Sequence, residues 1–279
     1  MKTPTPSMAR LASASGMHAA DGGARVHTGD DVATDRRLWP AAGNATGNRL
    51  LAGLTVGDRA LLEPALEPVL LEMRQVLEVP GEPISHIHFV ETGLVSMIGV
   101  NRADRRIEVG MVGYEGVTGM GAVLGVDRAT NEALVQSSGT ALRLPTNALH
   151  EIMSKSPVFS ALLLRYVHVF LMQANHTAIA AGRGKIPERL ARGLLMWHDR
   201  VRADNLSVTH DFLALLLGVQ RPGVTVALHE LEGQGLIRSM RNAVRILDRK
   251  GLELAANGLY GTPEAEYESL LGSALLPHG

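Results

Sequence analysis

The chain contains no cysteine. That absence removes disulfides, thiolate zinc sites, Cys-ligated iron–sulfur clusters and thiol nucleophiles, and it fits a reducing cytosol. Redox sensing through sulfur would have to use methionine. Long uninterrupted apolar runs are missing as well. The longest, around Leu213–Leu217 and Ala161–Leu164, fall far short of the roughly 20 residues of a membrane span, so no membrane partner is expected. Near the N-terminus Lys2 and Arg10 are followed by Pro, Ser and Gly in place of the apolar centre of a signal peptide, and a cytoplasmic location is expected. Charge of one sign is scarce overall, with a net charge of -1, but it is unevenly spread. Residues 183–251 carry 12 Lys and Arg against 7 Asp and Glu, whereas residues 48–182 carry 10 against 13. The C-terminal third is the basic part, as a phosphate-facing module should be.

At 279 residues and 29.8 kDa the chain has room for two domains, each with its own core. Residues 1–46 are rich in Ala, Gly, Thr, Ser and Pro without a stable apolar period, and read as a disordered tail. Thr46 or Asn48, and then Thr55 with Asp58, are positioned to cap two short helices. From Val69 to Leu144, short β-rich runs alternate with turn residues such as Pro80-Gly81-Glu82-Pro83 and Glu91-Thr92-Gly93, which predicts a small all-β roll or sandwich within residues 47–156.

After Thr146 the apolar period becomes helical, and a long helix is expected over residues 157–182 with Pro157 in its first turn. Two stripes run along it. Phe159, Leu163, Tyr166, Phe170, Gln173 and Thr177 form one; Leu164, Val167, Leu171, Ala174, Ala178 and Ala181 form the other. A helix with two apolar faces needs two partners, and the second stripe is read as a coiled-coil seam with a second copy of the chain. Gly182 and Gly184 then loosen the chain before Pro187 opens a further helix, a hinge into a domain over residues 183–262. Residues 263–279 read as a C-terminal tail.

The most informative segment is residues 206–239. Thr209 is placed to cap a helix with Phe212, Leu213, Leu216 and Leu217 inward, Gly218 permits a tight turn, and Pro222 restarts a helix with Val224, Ala227, Leu228 and Leu231 inward. This is the pattern of a helix-turn-helix, whose second helix enters a DNA major groove. Along that helix Arg221, Thr225 and His229 share one face at four-residue steps, and with Val226 they are the expected base contacts. Arg238–Arg241 and Ala243–Leu247 read as a two-stranded wing. Phosphate contacts are expected from Thr209, Gln220 and Gly223 at the helix starts and from Arg238, Arg241 and Arg245 on the wing.

The order of β-rich region, long helix, Ile186-Pro187-Glu188-Arg189-Leu190-Ala191-Arg192 and the segment LALLLGVQRPGVTVALHELEGQGLI resembles the Crp/Fnr superfamily of bacterial regulators over residues 48–262. The resemblance implies an α+β architecture: an N-terminal β-roll of the cyclic-nucleotide-binding type, a dimerisation helix and a C-terminal winged helix-turn-helix. It also implies a homodimeric transcriptional regulator on an inverted-repeat operator, acting with RNA polymerase, and not an enzyme. Where the cyclic-AMP-binding members carry a Glu on the ribose and an Arg-Ser pair on the phosphate, this sequence has Gly119 and either Asn131-Glu132 or Ala129-Thr130. Cyclic AMP therefore lacks its usual anchors. Gly119, Met120, Gly121, Arg128, Ala129, Thr130 and Asn131 are the candidate pocket for an unidentified small-molecule effector; no cofactor is identified. The family's Arg-Glu-x-x-x-Arg reading set is reduced to Arg221, with Pro222 and Val226 at the other two positions, which implies a different operator.

Two other patterns carry less. His86 and His88 alternate on one strand without an evident third metal ligand, and Gly113-Tyr114-Glu115-Gly116 with Gly119 and Gly121 lacks the Lys of a phosphate loop and reads as turns of the roll. The competing functional reading is a ligand-binding signalling module whose basic C-terminal domain docks proteins instead of DNA.

Overall fold

The computed structural model describes residues 46–201 and 203–272. The tail expected over residues 1–46 lies outside the described residues up to position 45, as does 273–279 of the expected C-terminal tail. The fold begins with α1 (Arg49–Ala52), capped by the buried Asn48. Its Oδ1 accepts from the Leu50 and Leu51 N–H groups, while Nδ2 donates to the carbonyls of Val90 (2.7 Å) and Gly116 (2.8 Å). One short side chain thus stitches the first helix to the strand end at Val90 and to the loop at Gly116. Then come α2 (Val56–Leu62), capped by Thr55, and the strands β1 (Glu67–Leu71), β2 (Val76–Glu78), β3 (His86–Val90), β4 (Leu94–Val100) and β5 (Arg106–Val112). A one-turn helix α3 (Met120–Val123) precedes β6 (Glu132–Ser137) and β7 (Gly139–Pro145).

These strands form two antiparallel sheets in the orders β1-β7-β3 and β2-β6-β4-β5. Two sequence expectations change here. The β-rich region expected from Val69 starts earlier, at Glu67, where Glu67 and Pro68 hide the alternation; β1 pairs along all five residues with β7. The glycine-rich stretch read as turns contains α3, which starts from Gly119 at a φ of 74°.

α4 (Thr146–Lys155) leads through Ser156 into α5 (Pro157–Arg183), whose Phe159, Leu162, Leu163, Tyr166, Val169 and Phe170 fill the roll. Phe159 meets Phe89 at a centroid distance of 6.4 Å. By length and composition α5 is also long and apolar enough to cross a bilayer, with a mean hydropathy of 1.3. Arg165, His168 and Gln173 interrupt the apolar run of this helix while leaving its average high.

After Gly184 the chain continues as α6 (Ile186–Val201), β8 (Asn205–Leu206), α7 (His210–Leu217), α8 (Arg221–Gly233), β9 (Ile237–Met240), β10 (Ala243–Ile246) and α9 (Arg249–Ala255). The wing is three-stranded, in the order β8-β10-β9, and not two-stranded; a two-residue strand is too short to show a period. This part has its own core, in which Trp197 packs edge-on against Phe212 at 4.8 Å, but Leu94 and Met111 of the roll belong to that core too.

The described end of the chain is α10 (Thr262–Tyr267) and a π turn over Glu268–Gly272, where a tail was expected. Tyr267 and Leu271 are buried in the core of the roll, and the Tyr267 hydroxyl donates to the Glu115 carbonyl at 2.9 Å. Arg49 pairs with Glu268 through both guanidinium nitrogens, at 2.6 and 2.9 Å.

Candidate nucleic-acid interface

The helix-turn-helix is built as its residues demand. Thr209 caps α7 by accepting from the Phe212 N–H at 3.2 Å, and Gly218 ends it at a φ of 61°. α8 leaves at 98° to α7, with Val224, Ala227, Leu228 and Leu231 buried beneath it. The buried set fixes which face is outward. Arg221 and His229 are exposed, and Thr225 lies between them with its hydroxyl donating to the Arg221 carbonyl at 3.2 Å. Arg221 Nε sits 3.2 Å from Asp211 Oδ1 in a solvent-exposed pair, an association easily exchanged for another anion. Val226 is 65% exposed but lines an apolar groove with Ile186 and Pro187.

Among the expected phosphate contacts, Arg238, Arg241 and Arg245 are all exposed on the wing, with Arg238 opposite Arg245 in register and Arg241 at the turn beside Asn242, whose φ is 57°. None of the three makes an ion pair among the described residues. Thr209 and Gln220 sit at the starts of α7 and α8, where backbone N–H groups favour anions. The Gly223 N–H is already bonded to the Gln220 carbonyl at 3.0 Å.

Behind this surface the helix-turn-helix rests on the roll through polar contacts that the sequence did not reveal. Gln173 of α5 accepts from the Met111 N–H at 2.6 Å and donates to the Met111 carbonyl at 3.2 Å. Arg192 of α6, buried, donates to the Gln173 carbonyl and to Thr177 Oγ1. Arg200 Nε lies 2.7 Å from Glu115 Oε1; the Arg200 side chain is buried and that of Glu115 is 12% exposed. Burial works against the Arg200 charge, but Glu115, Glu264 and Asp199 together hold its pKa above the usual guanidinium value. Glu108 is buried nearby; burial pushes its carboxyl up to about 8 against the pull of the Ser96 hydroxyl, which donates to it at 2.5 Å, and of Arg192 and Arg200. The available signals were Gln173 and Thr177, polar side chains in a mostly apolar stripe.

The expected effector residues come together only in part. Gly121 lies against the Val126 and Arg128 carbonyls, and Met120 and Ala129 are buried. The Gly119 N–H donates to Glu78 Oε1 at 2.7 Å, and a Cβ at this position would stand 2.3 Å from Ile87 Cγ2. Arg128 turns to the Gly81 carbonyl at 2.7 Å, and Thr130 is exposed. His88 is buried with Nδ1 3.3 Å from Thr118 Oγ1, and burial first, then His86 and Arg143, push its pKa down to about 3.

A helix pair crossing at a tight glycine turn, followed by a basic three-stranded wing, defines a winged helix-turn-helix DNA-binding protein. Residues 188–255 match the family described as Crp-like helix-turn-helix domain. The chain is 26% identical over 211 residues to a CRP-like cAMP-activated global transcriptional regulator of Mycobacterium tuberculosis, covering 73% of this chain and 94% of that one. In structure it resembles a CRP/FNR-family transcriptional regulator of Thermus thermophilus, with a TM-score of 0.58 at 25% identity over 70% of this chain and all of that one. The c-di-GMP responsive regulator CLP of Xanthomonas campestris shares the fold, with a TM-score of 0.59 at 19% identity over 69% of this chain and 99% of that one. Residues 188–255 thus carry a Crp-like helix-turn-helix domain, and the whole chain is similar in sequence and fold to Crp/Fnr-family transcriptional regulators.

Proposed function

We propose that the protein is a homodimeric, sequence-specific regulator that binds an inverted-repeat operator and is controlled by a sensor that does not take cyclic AMP in the usual way. The divisions proposed at 47–156, 157–182 and 183–262 give it a roll, a dimer helix and a DNA-binding domain. What supports the DNA-binding reading most is the wing and α8 together: three exposed arginines, without ion pairs among the described residues, stand beside a helix whose only charge near its N-terminus, Arg221, is loosely held. A protein-docking surface would more naturally expose an apolar patch than a basic stripe.

Dimerisation is supported by α5. Its inward stripe is consumed by the roll, while Leu164 and Leu171 remain 47% and 57% exposed, with Val167 and Ala174 half-buried and Ala178 and Ala181 exposed beside them. Such a row of aliphatic side chains at coiled-coil spacing suits a second copy of the same helix. A Glu at position 119 would need a left-handed backbone and space that Ile87 occupies, which supports a sensor without the ribose anchor.

The test is selection of bound fragments from random duplexes by the purified protein. Two half-sites about 34 Å apart, centre to centre, are expected. Recovery of unrelated sequences without a repeated half-site would overturn the operator reading. RNA polymerase is the expected second partner, checked by transcription from a template bearing the selected site.

A further inference from the structure

A cavity of about 300 Å³ lies away from the expected effector residues, where the roll, α5, the end of α6 and α10 meet. All four tyrosines of the chain, Tyr114, Tyr166, Tyr260 and Tyr267, line it. Aromatic faces attract cations through their quadrupole, and two of these rings already hold one: Arg49 lies 5.0 Å over the Tyr267 ring and Arg249 5.8 Å over the Tyr260 ring.

The charges in the wall lean the same way. Four carboxylates (Glu115, Asp199, Glu264 and Glu268) face two guanidiniums, Arg49 and Arg200. Both arginines are engaged, Arg49 by Glu268 and Arg200 by Glu115. Asp199 accepts from the Tyr260 hydroxyl at 2.6 Å and pairs with Arg249 at 2.8 Å. Among the described residues the Arg200 Nε and Tyr166 hydroxyl donors are buried without a hydrogen-bond partner, as is one acceptor, while a second acceptor is only partly used. Glu115 Oε2 is buried without a hydrogen-bond partner among the described residues, a state that costs free energy until a donor arrives. Glu264 accepts only the Gly261 N–H, at 3.1 Å, and makes no ion pair among the described residues. Glu268, Glu115 and Asp199 are thus each matched by an arginine, and Glu264 is the carboxylate of the wall left without an ion pair among the described residues.

We propose that this cavity is a binding site for a small organic cation bearing N–H donors, an ammonium or amidinium on an apolar body, held by Glu115 and Glu264 among the tyrosine rings. The site deepens the reading of a ligand-controlled regulator and rests on it only for its consequence. Its walls join the roll to α6, the first helix of the DNA-binding part, at a place without slack: a Cβ on Gly113 would stand 2.6 Å from Arg200 Cβ. A cation drawing on Glu115 competes with Arg200, and so biases how α6 sits against the roll.

Benzamidine is a suitable probe, with benzoate and benzamide as the anionic and neutral controls. In the DNA-free protein, benzamidine at about a hundredfold excess over its Kd should raise Tm by roughly 5 °C, and the controls should not. Glu264→Gln keeps the acceptor for the Gly261 N–H, so the fold should persist by circular dichroism, while benzamidine affinity should fall about tenfold or more by calorimetry. Equal stabilisation by benzoate or benzamide, or unchanged affinity in Glu264→Gln, would overturn the site. So would the lack of any shift with benzamidine or phenethylamine at about 10 mM, where even a Kd of about 1 mM is detectable. Repeating the titration with the selected operator separates the two readings. Benzamidine binding without DNA binding sinks only the regulator, and DNA binding without benzamidine binding sinks only this site.

Discussion

At the scale of single residues, Arg221 and Arg241 separate two kinds of contact. Arg221 lies at the N-terminal end of α8 and is held only by an exposed pair with Asp211, so turning to a base costs little. Arg221→Ala should lose roughly 1–3 kcal/mol on the selected operator and relax base choice at one position of each half-site. Arg241, at the tip of the wing, should act differently. Arg241→Ala should weaken binding to all sequences alike and lower the slope of log K against log salt by about one for each copy. Fluorescence anisotropy across a salt series distinguishes them; an Arg221 variant with full specific affinity would contradict the base-reading role. Gly119 gives a second residue-scale prediction. Gly119→Glu restores the side chain of cyclic-AMP-binding relatives, yet the φ of 74° and the approach of Ile87 leave it no place. It should destabilise by roughly 2–4 kcal/mol in denaturant titration and confer no response to cyclic AMP.

At the scale of elements, α5 decides whether the molecule pairs. Leu171→Glu places a charge in the middle of the exposed stripe, at a residue outside the core of the roll. Sedimentation velocity should show a shift from two chains to one with helix content retained, and operator affinity should drop because each half-site must then be bound alone. A particle that stays two-chained would place the interface elsewhere. Elements also show what a linear reading can reach. α5, α7 and α8 were legible because their inward residues recur at helical steps bounded by Pro157, Gly218 and Pro222. α10 was not. Its anchorage depends on Tyr267 and Leu271 fitting into the roll, where Tyr267 meets Glu115, 152 residues earlier, and two buried side chains make no period. Likewise the candidate base and phosphate residues follow from position on a helix or strand, whereas the contacts of Glu115, Gln173, Arg192 and Arg200 arise only when distant segments meet.

At the scale of the whole molecule, two buried titratable groups on opposite sides of the roll shape stability against pH. Glu108 is raised from 4.5 to about 8, so the folded state holds a proton that the unfolded chain gives up. Its contribution is complete below pH 4.5 and is lost as pH rises through 8. His88 is lowered from 6.5 to about 3, so the folded state refuses a proton that the unfolded chain accepts. Its contribution is complete above pH 6.5 and is lost as pH falls towards 3. Between 4.5 and 6.5 the two slopes oppose each other and nearly cancel, which predicts a plateau in Tm with a decline on both sides. Glu108→Gln separates the two limbs. The amide imitates the protonated acid and can keep the hydrogen bond to Ser96, so the alkaline decline should flatten by an amount on the order of a few kcal/mol at pH 8 while the acid decline stays. Because Glu108 stands where β5 meets Arg192 and Arg200 of α6, the same variant reports on the joint between the roll and the DNA-binding part. If ionised Glu108 loosens that joint, operator affinity in the natural protein will change between pH 6 and 8, and in Glu108→Gln it will not. An unchanged alkaline limb in the variant would mean that Glu108 is not the group that titrates.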